Sequence, residues 1–333
     1  MKKSIYILFL MITSAACFVS CNDEWENEQF SQMISFKANP NNQGVSPTYI
    51  RYNANGEMRF NLPVIISGST PNTKKRTIHF SLDPDTLANL NREQYGDRQE
   101  LYFKQLGNSY YAMPETLEVP AGVSTVNLPI DFKLGDLDQS DKWVLPLQIE
   151  NDPSYDYTAN PNKTYRRAMM HIIPFNDYSG QYGGTLYKIF LDGDTEPLTL
   201  NTYRTYVVDD KTIFLYAGLR DVDYLDRKNY KVFMKFTDDR IDIQKKKLEV
   251  WSDNVANNKF KLGANQSYYT IDEAFDDQRP YMKHIYITLY LSYEFEDYTT
   301  IPGQRLKYKV DGTLSMQRDL NTLIPDLDQQ IQW

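Results

Sequence analysis

The segment Leu191-Asp192-Gly193-Asp194-Thr195-Glu196 sets three carboxylates close together beside an apolar stretch. Sugar hydrolysis needs two carboxyl groups roughly 5–10 Å apart across the scissile bond. Asp192-Gly193 is equally good hairpin-turn chemistry, and the following strand returns after a short connection, so a turn is the favoured reading. The three histidines, His79, His171 and His284, fall in strand-like segments and read as structural. There is no Gly-x-Ser-x-Gly elbow, no phosphate-binding glycine loop and no His-Glu-x-x-His. The spacing of a twelve-residue calcium loop is absent as well. No catalytic residue, metal or cofactor is therefore expected, and the chain reads as a non-enzyme.

The aromatic residues are the remaining source of chemistry. The chain has 26 Tyr, 16 Phe and 4 Trp in 333 residues. Sugar rings carry apolar C–H faces that stack on Trp and Tyr, while their hydroxyls take polar partners. The pairs Tyr110-Tyr111 and Tyr268-Tyr269 stand out, because adjacent residues in a strand point to opposite faces and one of each pair could face solvent. Trp143, Trp251, Tyr286 and Tyr290 complete the candidate ligand-binding set. The competing reading is that β-rich cores favour Tyr in any case.

The elements that must hold these rings are strands. Period-2 alternation dominates from residue 32 onward. Ile78, Phe80 and Leu82 alternate with His79 and Ser81; Val126, Leu128, Ile130 and Phe132 alternate with Asn127, Pro129 and Asp131. Pro129 lacks an N–H, which predicts an edge or a bulge. Further strands are expected at 57–66, 144–149 and 167–174. One helix is expected behind Asp83-Pro84-Asp85-Thr86, with Leu87, Leu90 and Tyr95 on it. A second β-rich unit opens near Asn176, with strands near 185–191, 198–208, 212–217, 229–237 and 241–251. Its strongest strand is His284–Phe295, with Ile285, Ile287, Leu289, Leu291, Tyr293 and Phe295 on one face. Residues 305–310 lead to an expected turn at Asp311-Gly312. The pattern is all-β in two domains, residues 32–175 and 176–333, the second an antiparallel barrel or sandwich.

Charge and the N-terminus bound the setting. There are 36 Lys and Arg against 44 Asp and Glu, a formal net charge of −8. That argues against a nucleic-acid partner. Lys2-Lys3 precede a 15-residue uncharged stretch from Ile5 to Val19, too short for a spanning helix and typical of a secretory signal. No cysteine follows Cys17 and Cys21. Phe18-Val19-Ser20-Cys21 resembles a bacterial lipoprotein cleavage box, with Phe18 where Leu is preferred, and Ser14-Ala15-Ala16-Cys17 is a second candidate. The acidic segment Asn22-Asp23-Glu24-Trp25-Glu26-Asn27-Glu28 resembles the surface-export signal of Bacteroidetes lipoproteins. The expectation is a signal peptide over 1–20, lipidation at Cys21 and an acidic tether over 21–31. Membrane attachment would run through the lipid anchor.

Two longer stretches carry a family resemblance. Leu117-Glu118-Val119-Pro120-Ala121-Gly122-Val123, the alternation to Phe132, and Trp143-Val144-Leu145-Pro146-Leu147-Gln148-Ile149 resemble the N-terminal domain of unknown function of Bacteroidetes surface lipoproteins. That domain also precedes some chitinase-like endoglycosidases. Ser292–Asp297, Tyr308–Arg318 and the tail Ile324–Trp333 resemble a C-terminal partner domain of the same lipoproteins. The resemblance implies an immunoglobulin-like β-sandwich followed by the second β domain. It further implies a place in a polysaccharide-utilisation system, binding glycan at the outer-membrane surface without cleaving it. The alternative it leaves open is a scaffold or accessory subunit of an outer-membrane transporter or glycosidase complex that touches no sugar. It supplies no binding residues, since the matching motifs are turns and core strands.

Overall fold

The computed structural model describes residues 30–333 apart from 54–56 and 136. The signal peptide, Cys21 and nearly all of the tether lie outside the described residues. The chain is almost wholly β, in two units. The first contains β1 (Met33–Phe36), β2 (Ser46–Arg51), β3 (Glu57–Ser67), β4 (Arg76–Leu82), helix α1 (Pro84–Tyr95), β5 (Phe103–Gln105), β6 (Tyr111–Ala112), β7 (Thr116–Val119), β8 (Thr125–Lys133), β9 (Lys142–Ile149), helix α2 (Lys163–Arg166) and β10 (Arg167–Phe175). One sheet runs β1-β3-β8-β6; the other runs β2-β10-β9-β4-β7, with β5 pairing β9. Their inner faces close on Ile34, Phe36, Leu62, Val64, Leu128, Ile130, Leu145 and Leu147. The alternation expected for β8 is borne out, and among the described residues its far side is covered only at Asp131 and Phe132 by β6. Pro129 therefore sits on an open edge and forfeits no ladder bond there.

Helix α1 begins where its chemistry requires. The Asp83 carboxylate accepts the Thr86 backbone N–H at 3.1 Å, and Pro84 occupies the first turn. Leu87 packs with Val45, Phe103, Val144 and Met169 in a small core on the outside of the sandwich, with Leu90 and Tyr95 against it.

The second unit contains β11 (Gln181–Gly183), β12 (Tyr187–Leu191), β13 (Thr202–Arg204), β14 (Tyr206–Val207), β15 (Thr212–Tyr216), β16 (Lys231–Arg240), β17 (Lys246–Trp251), helix α3 (Val255–Asn258), β18 (Lys261–Leu262), β19 (Tyr268–Phe275), β20 (Met282–Asp297), β21 (Leu306–Asn321) and β22 (Ile331–Gln332). These form one sheet whose backbone order is β13-β11-β21-β20-β19-β17-β16-β15-β14. Its two end strands, β13 and β14, are separated in sequence only by Thr205. The sheet must therefore curl back on itself, and it forms a nearly closed barrel. Tyr182, Tyr187, Ile213, Leu289, Leu291, Tyr293 and Val310 fill the interior.

Asp311-Gly312 is not a turn. β21 runs straight through it, and β20 pairs it along its whole length. On the other side, β12 pairs residues 308–312 and β11 takes over at Ser315. Gly312 sits at that change of partner with φ 153°, and a Cβ there would lie 2.1 Å from the Leu186 carbonyl. The glycine serves a close backbone approach inside a strand, which the dipeptide alone does not distinguish from a hairpin. The expected strand at 198–208 is broken into β13 and β14, and 241–251 begins only at Lys246, after a turn in which Asp242 accepts the N–H groups of Gln244 and Lys245.

Polar and aromatic contacts join the two units. Arg51 donates to Asp177 at 2.6 Å and also to Asp328. Lys228 and Lys231 reach Asp138 at 2.9 and 3.1 Å, and Arg227 Nε donates to the Ser140 carbonyl at 2.9 Å. Burial alone would raise the Asp138 carboxyl, but hydrogen bonds from Ser140 and Lys228 and the nearby Lys231 charge hold it well below the usual carboxylate range. Trp333 lies flat on Tyr49, ring centres 3.8 Å apart and planes 4° apart, with Phe175 edge-on at 4.8 Å. Such aromatic contacts are worth about 0.5–1.5 kcal/mol each beyond area burial. Trp333→Ala should lower the melting temperature by a few degrees, and small-angle scattering should report a looser arrangement of the two units. An unchanged melting temperature and profile would remove Trp333 from the clamp.

Among the described residues no helix is long and apolar enough to cross a membrane.

Candidate functional site

The register of the barrel decides which aromatic side chains reach solvent. In β20 the odd-numbered residues Ile287, Leu289, Leu291 and Tyr293 are buried inside, so Tyr286, Thr288 and Tyr290 point out. Tyr290 lies opposite Tyr268, and Tyr268 lies opposite Lys247 on β17. Lys247, Glu249 and Trp251 therefore share the outer face with Tyr268, Tyr286 and Tyr290. Four of the eight aromatic residues singled out in the sequence thus lie on one outward face of one curved sheet. At about 3.3 Å per residue, Tyr286 and Trp251 sit some 13 Å to either side of the Tyr268–Tyr290 pair along the strands.

At the centre, the Tyr268 and Tyr290 rings stack with centres 5.1 Å apart. The Tyr290 hydroxyl donates to Asp311 Oδ1 at 2.9 Å and accepts from Asn265 Nδ2 at 3.0 Å. Asn265 Nδ2 also reaches Asp311 Oδ2 at 3.1 Å, and the Ser292 hydroxyl donates to the same oxygen at 3.1 Å. Lys245 Nζ lies 4.8 Å from the centre of the Tyr268 ring. Burial and the hydrogen bond to Asp311 both push the Tyr290 phenol up, so it stays neutral and fixed. This cluster offers ring edges, an amide and a carboxylate in one rigid arrangement.

At one end, Tyr286 is 38% exposed beside His284 and Gln317. His284 Nδ1 is 2.6 Å from Asp319, which raises the imidazole pKa. At the other end Trp251, also 38% exposed, stacks on Phe233 at 5.4 Å. Phe233 continues to Phe214 at 5.8 Å and Phe214 to Tyr206 at 5.1 Å, an aromatic row crossing four strands towards the first unit.

The other four candidates lie elsewhere. Tyr269 points into the barrel, 2% exposed, its hydroxyl donating to the Thr237 carbonyl at 2.8 Å. Trp143, Tyr110 and Tyr111 are half-buried against the core of the first sandwich. Trp143 Nε1 donates to the Asp138 carbonyl at 2.8 Å, its ring centre is 6.4 Å from that of Tyr110, and the Tyr111 hydroxyl is bound to Asn108 at 3.1 Å. Packing accounts for these three positions.

The acidic run is a turn. Ile189 bridges back to Leu198, the Asp194 N–H bonds to the Leu191 carbonyl at 2.9 Å, and Gly193 has φ 94°. Alanine at Asp192, Asp194 and Glu196 together should leave folding and glycan binding unchanged; a lost glycan-cleaving activity in that triple variant would restore the hydrolase reading. Among the described residues no group of three His, Cys, Asp or Glu is placed to hold a metal ion. Phe233, Asn265 and Asp311 were not legible as site residues. Each reaches the face through cross-strand register or loop return, and neither is written in local spacing.

Comparison with known proteins places the chain. A family model described as a domain of unknown function (DUF4973) matches residues 25–153, and a “-like, C-terminal” model matches residues 166–315. A search of curated proteins gives no match. A Bacteroides ovatus protein of unknown function is 38% identical with a TM-score of 0.81, over 91% of this chain and 100% of that one. A Bacteroides ovatus multidomain protein including DUF1735 is 37% identical with a TM-score of 0.81, over 91% of this chain and all of its own. An auxiliary nutrient binding protein from Bacteroides thetaiotaomicron is 37% identical with a TM-score of 0.78, over 87% of this chain and 96% of that chain. With sequence and fold shared along nearly the whole length, the chain belongs to this family of two-domain Bacteroides β proteins.

Proposed function

We propose that the protein is a non-catalytic glycan-binding lipoprotein of a polysaccharide-utilisation system, anchored through Cys21 in the outer membrane and exposed at the cell surface. The observation that carries the reading is the shared outer face of Trp251, Tyr268, Tyr286 and Tyr290, with Asn265, Asp311 and Gln317 among them. Sugar rings would stack on the exposed aromatic surfaces, and their hydroxyls would exchange water for the amide and carboxylate groups. The relative named as an auxiliary nutrient binding protein supports a capture role, and the ordinary turn at Asp192–Glu196 offers no support for hydrolysis. Open sugar sites desolvate many hydroxyls for limited gain, so a single contact should be weak, and many copies on one membrane would add avidity. Captured glycan would pass to an outer-membrane transporter or a glycosidase complex.

The test is a screen of residues 30–333 against plant, host and fungal polysaccharides. Saturable binding to one glycan class is expected. A folded protein that binds none would contradict the reading and transfer the role to a scaffold or accessory subunit of the transporter or glycosidase complex, to be sought by pull-down from membranes.

A further inference from the structure

The junction between the two units holds a cavity of about 120 Å³ that the aromatic face does not use. It is lined by His171 on β10, Lys142 on β9, Arg204 on β13, and by Gln43, Asp141 and Asp223 among others. Water takes roughly 30 Å³ per molecule in the liquid, so the space suits a group of a few heavy atoms.

The charges around it are unevenly satisfied. Lys142 Nζ is 2.8 Å from Asp223, which neutralises it. Asp141, the other acidic residue of the lining, is already shared among Lys104 at 2.9 Å, Lys228 at 3.0 Å and Arg227 at 3.5 Å. The Arg204 side chain, on an exposed residue of β13, has no ion pair or hydrogen bond among the described residues; the Tyr206 ring lies 6.0 Å from its guanidinium carbon. The His171 ring likewise has no hydrogen-bond partner among them; its described ring contact is with Phe103, centres 5.4 Å apart and nearly perpendicular. Burial and the two flanking cations depress the His171 pKa to about 4. An exposed guanidinium and an imidazole, neither with a described hydrogen-bond partner, thus line one small space, in a protein whose overall charge is negative.

We infer that this inter-domain cavity is a binding site for a single oxyanion group, a carboxylate or a sulfate, held by Arg204 and His171 with Lys142 behind them. Arg204 supplies the forked donors suited to such a group, and His171 donates once the anion favours its protonated form. Both a free anion and the acidic substituent of a sugar carry this chemistry. Tyr206, at the far end of the aromatic row from Trp251, also lines the cavity, whereas Trp251, Tyr268, Tyr286 and Tyr290 do not.

The test titrates the purified protein with glucuronate, with inorganic sulfate and with neutral glucose, following the His171 imidazole by NMR. Glucuronate or sulfate should shift the His171 signals saturably at millimolar concentration and raise its titration midpoint, and glucose should do neither. A response to both anions marks a general oxyanion site; a response to glucuronate alone marks an acidic sugar. Arg204→Gln, at an exposed position, should weaken the response by about tenfold or more, the worth of hydrogen bonds to a charged group. Trp251→Ala with Tyr286→Ala should leave it intact, which separates this site from the glycan face. No saturable shift with either anion, or an undiminished shift in Arg204→Gln, would overturn the inference.

Discussion

Replacing Trp251 and Tyr286 together with alanine should lower affinity for the captured glycan by about a hundredfold or more. Truncating a Trp or Tyr anchor at a binding surface typically costs upwards of about 1–2 kcal/mol, and each 1.4 kcal/mol is tenfold. The two rings stand at opposite ends of the face and share no contact, so their losses should add. Each is 38% exposed, so neither holds the barrel core together. Stability should therefore change by well under the effect on binding. Tyr268→Ala would be a harder variant to read, because it also unstacks Tyr290 and loosens Asn265 and Asp311. The comparison that matters is Trp143→Phe, which alters a packed residue of the first unit and should leave affinity unchanged. Equal losses in both would mean that the effect is structural.

Arg220→Met should destabilise the second unit by about 3–5 kcal/mol, the usual result of leaving a buried carboxylate without its cation. Arg220 is 7% exposed, and its guanidinium donates to Asp297 at 2.8 Å and Asp226 at 3.0 Å while lying 3.7 Å over the Tyr230 ring. Asp297 is also bound by the Tyr230 hydroxyl at 3.0 Å and by the N–H groups of Thr299 and Thr300 at 3.0 and 3.1 Å. Burial alone would raise this carboxyl; the hydrogen bonds from Thr300 and Arg220 more than offset it and hold the pKa well below the usual range. A carboxylate depressed in the folded state contributes stability that is fully present above its unfolded pKa near 4 and is lost as the pH falls towards the folded value. The wild-type melting temperature should therefore decline progressively below about pH 5. A melting temperature for Arg220→Met within a degree of wild type would show that the network is not a keystone of the barrel.

Much of this architecture was legible in local pattern. The alternation at 284–295 correctly divided β20 into a buried and an exposed face, and so put Tyr286 and Tyr290 outside. The helix start at Asp83 followed from capping chemistry alone. Residue types do not carry register. Of Tyr268 and Tyr269 the sequence could say only that one faces out; the pairing of Tyr268 with Tyr290 settles which. Trp143 and Trp251 look alike as strand aromatics, yet one packs against a sandwich core and the other lies on a barrel wall. The closure of the barrel through Thr205, and the in-strand glycine at 312, depend on which strands become neighbours across more than a hundred residues. The inter-domain cavity depends on the docking of two units, and its residues lie far apart in sequence.

The most direct measurement of the central claim is hydroxyl-radical footprinting of the protein with and without its captured glycan. Oxidation of Trp251, Tyr286, Tyr268 and Tyr290 should fall when the glycan is bound, while the exposed Tyr165 and Tyr224, away from that face, stay as reactive as before. Protection of Tyr110, Tyr111 and Trp143 with an unprotected barrel face would contradict the account and move the site to the first unit.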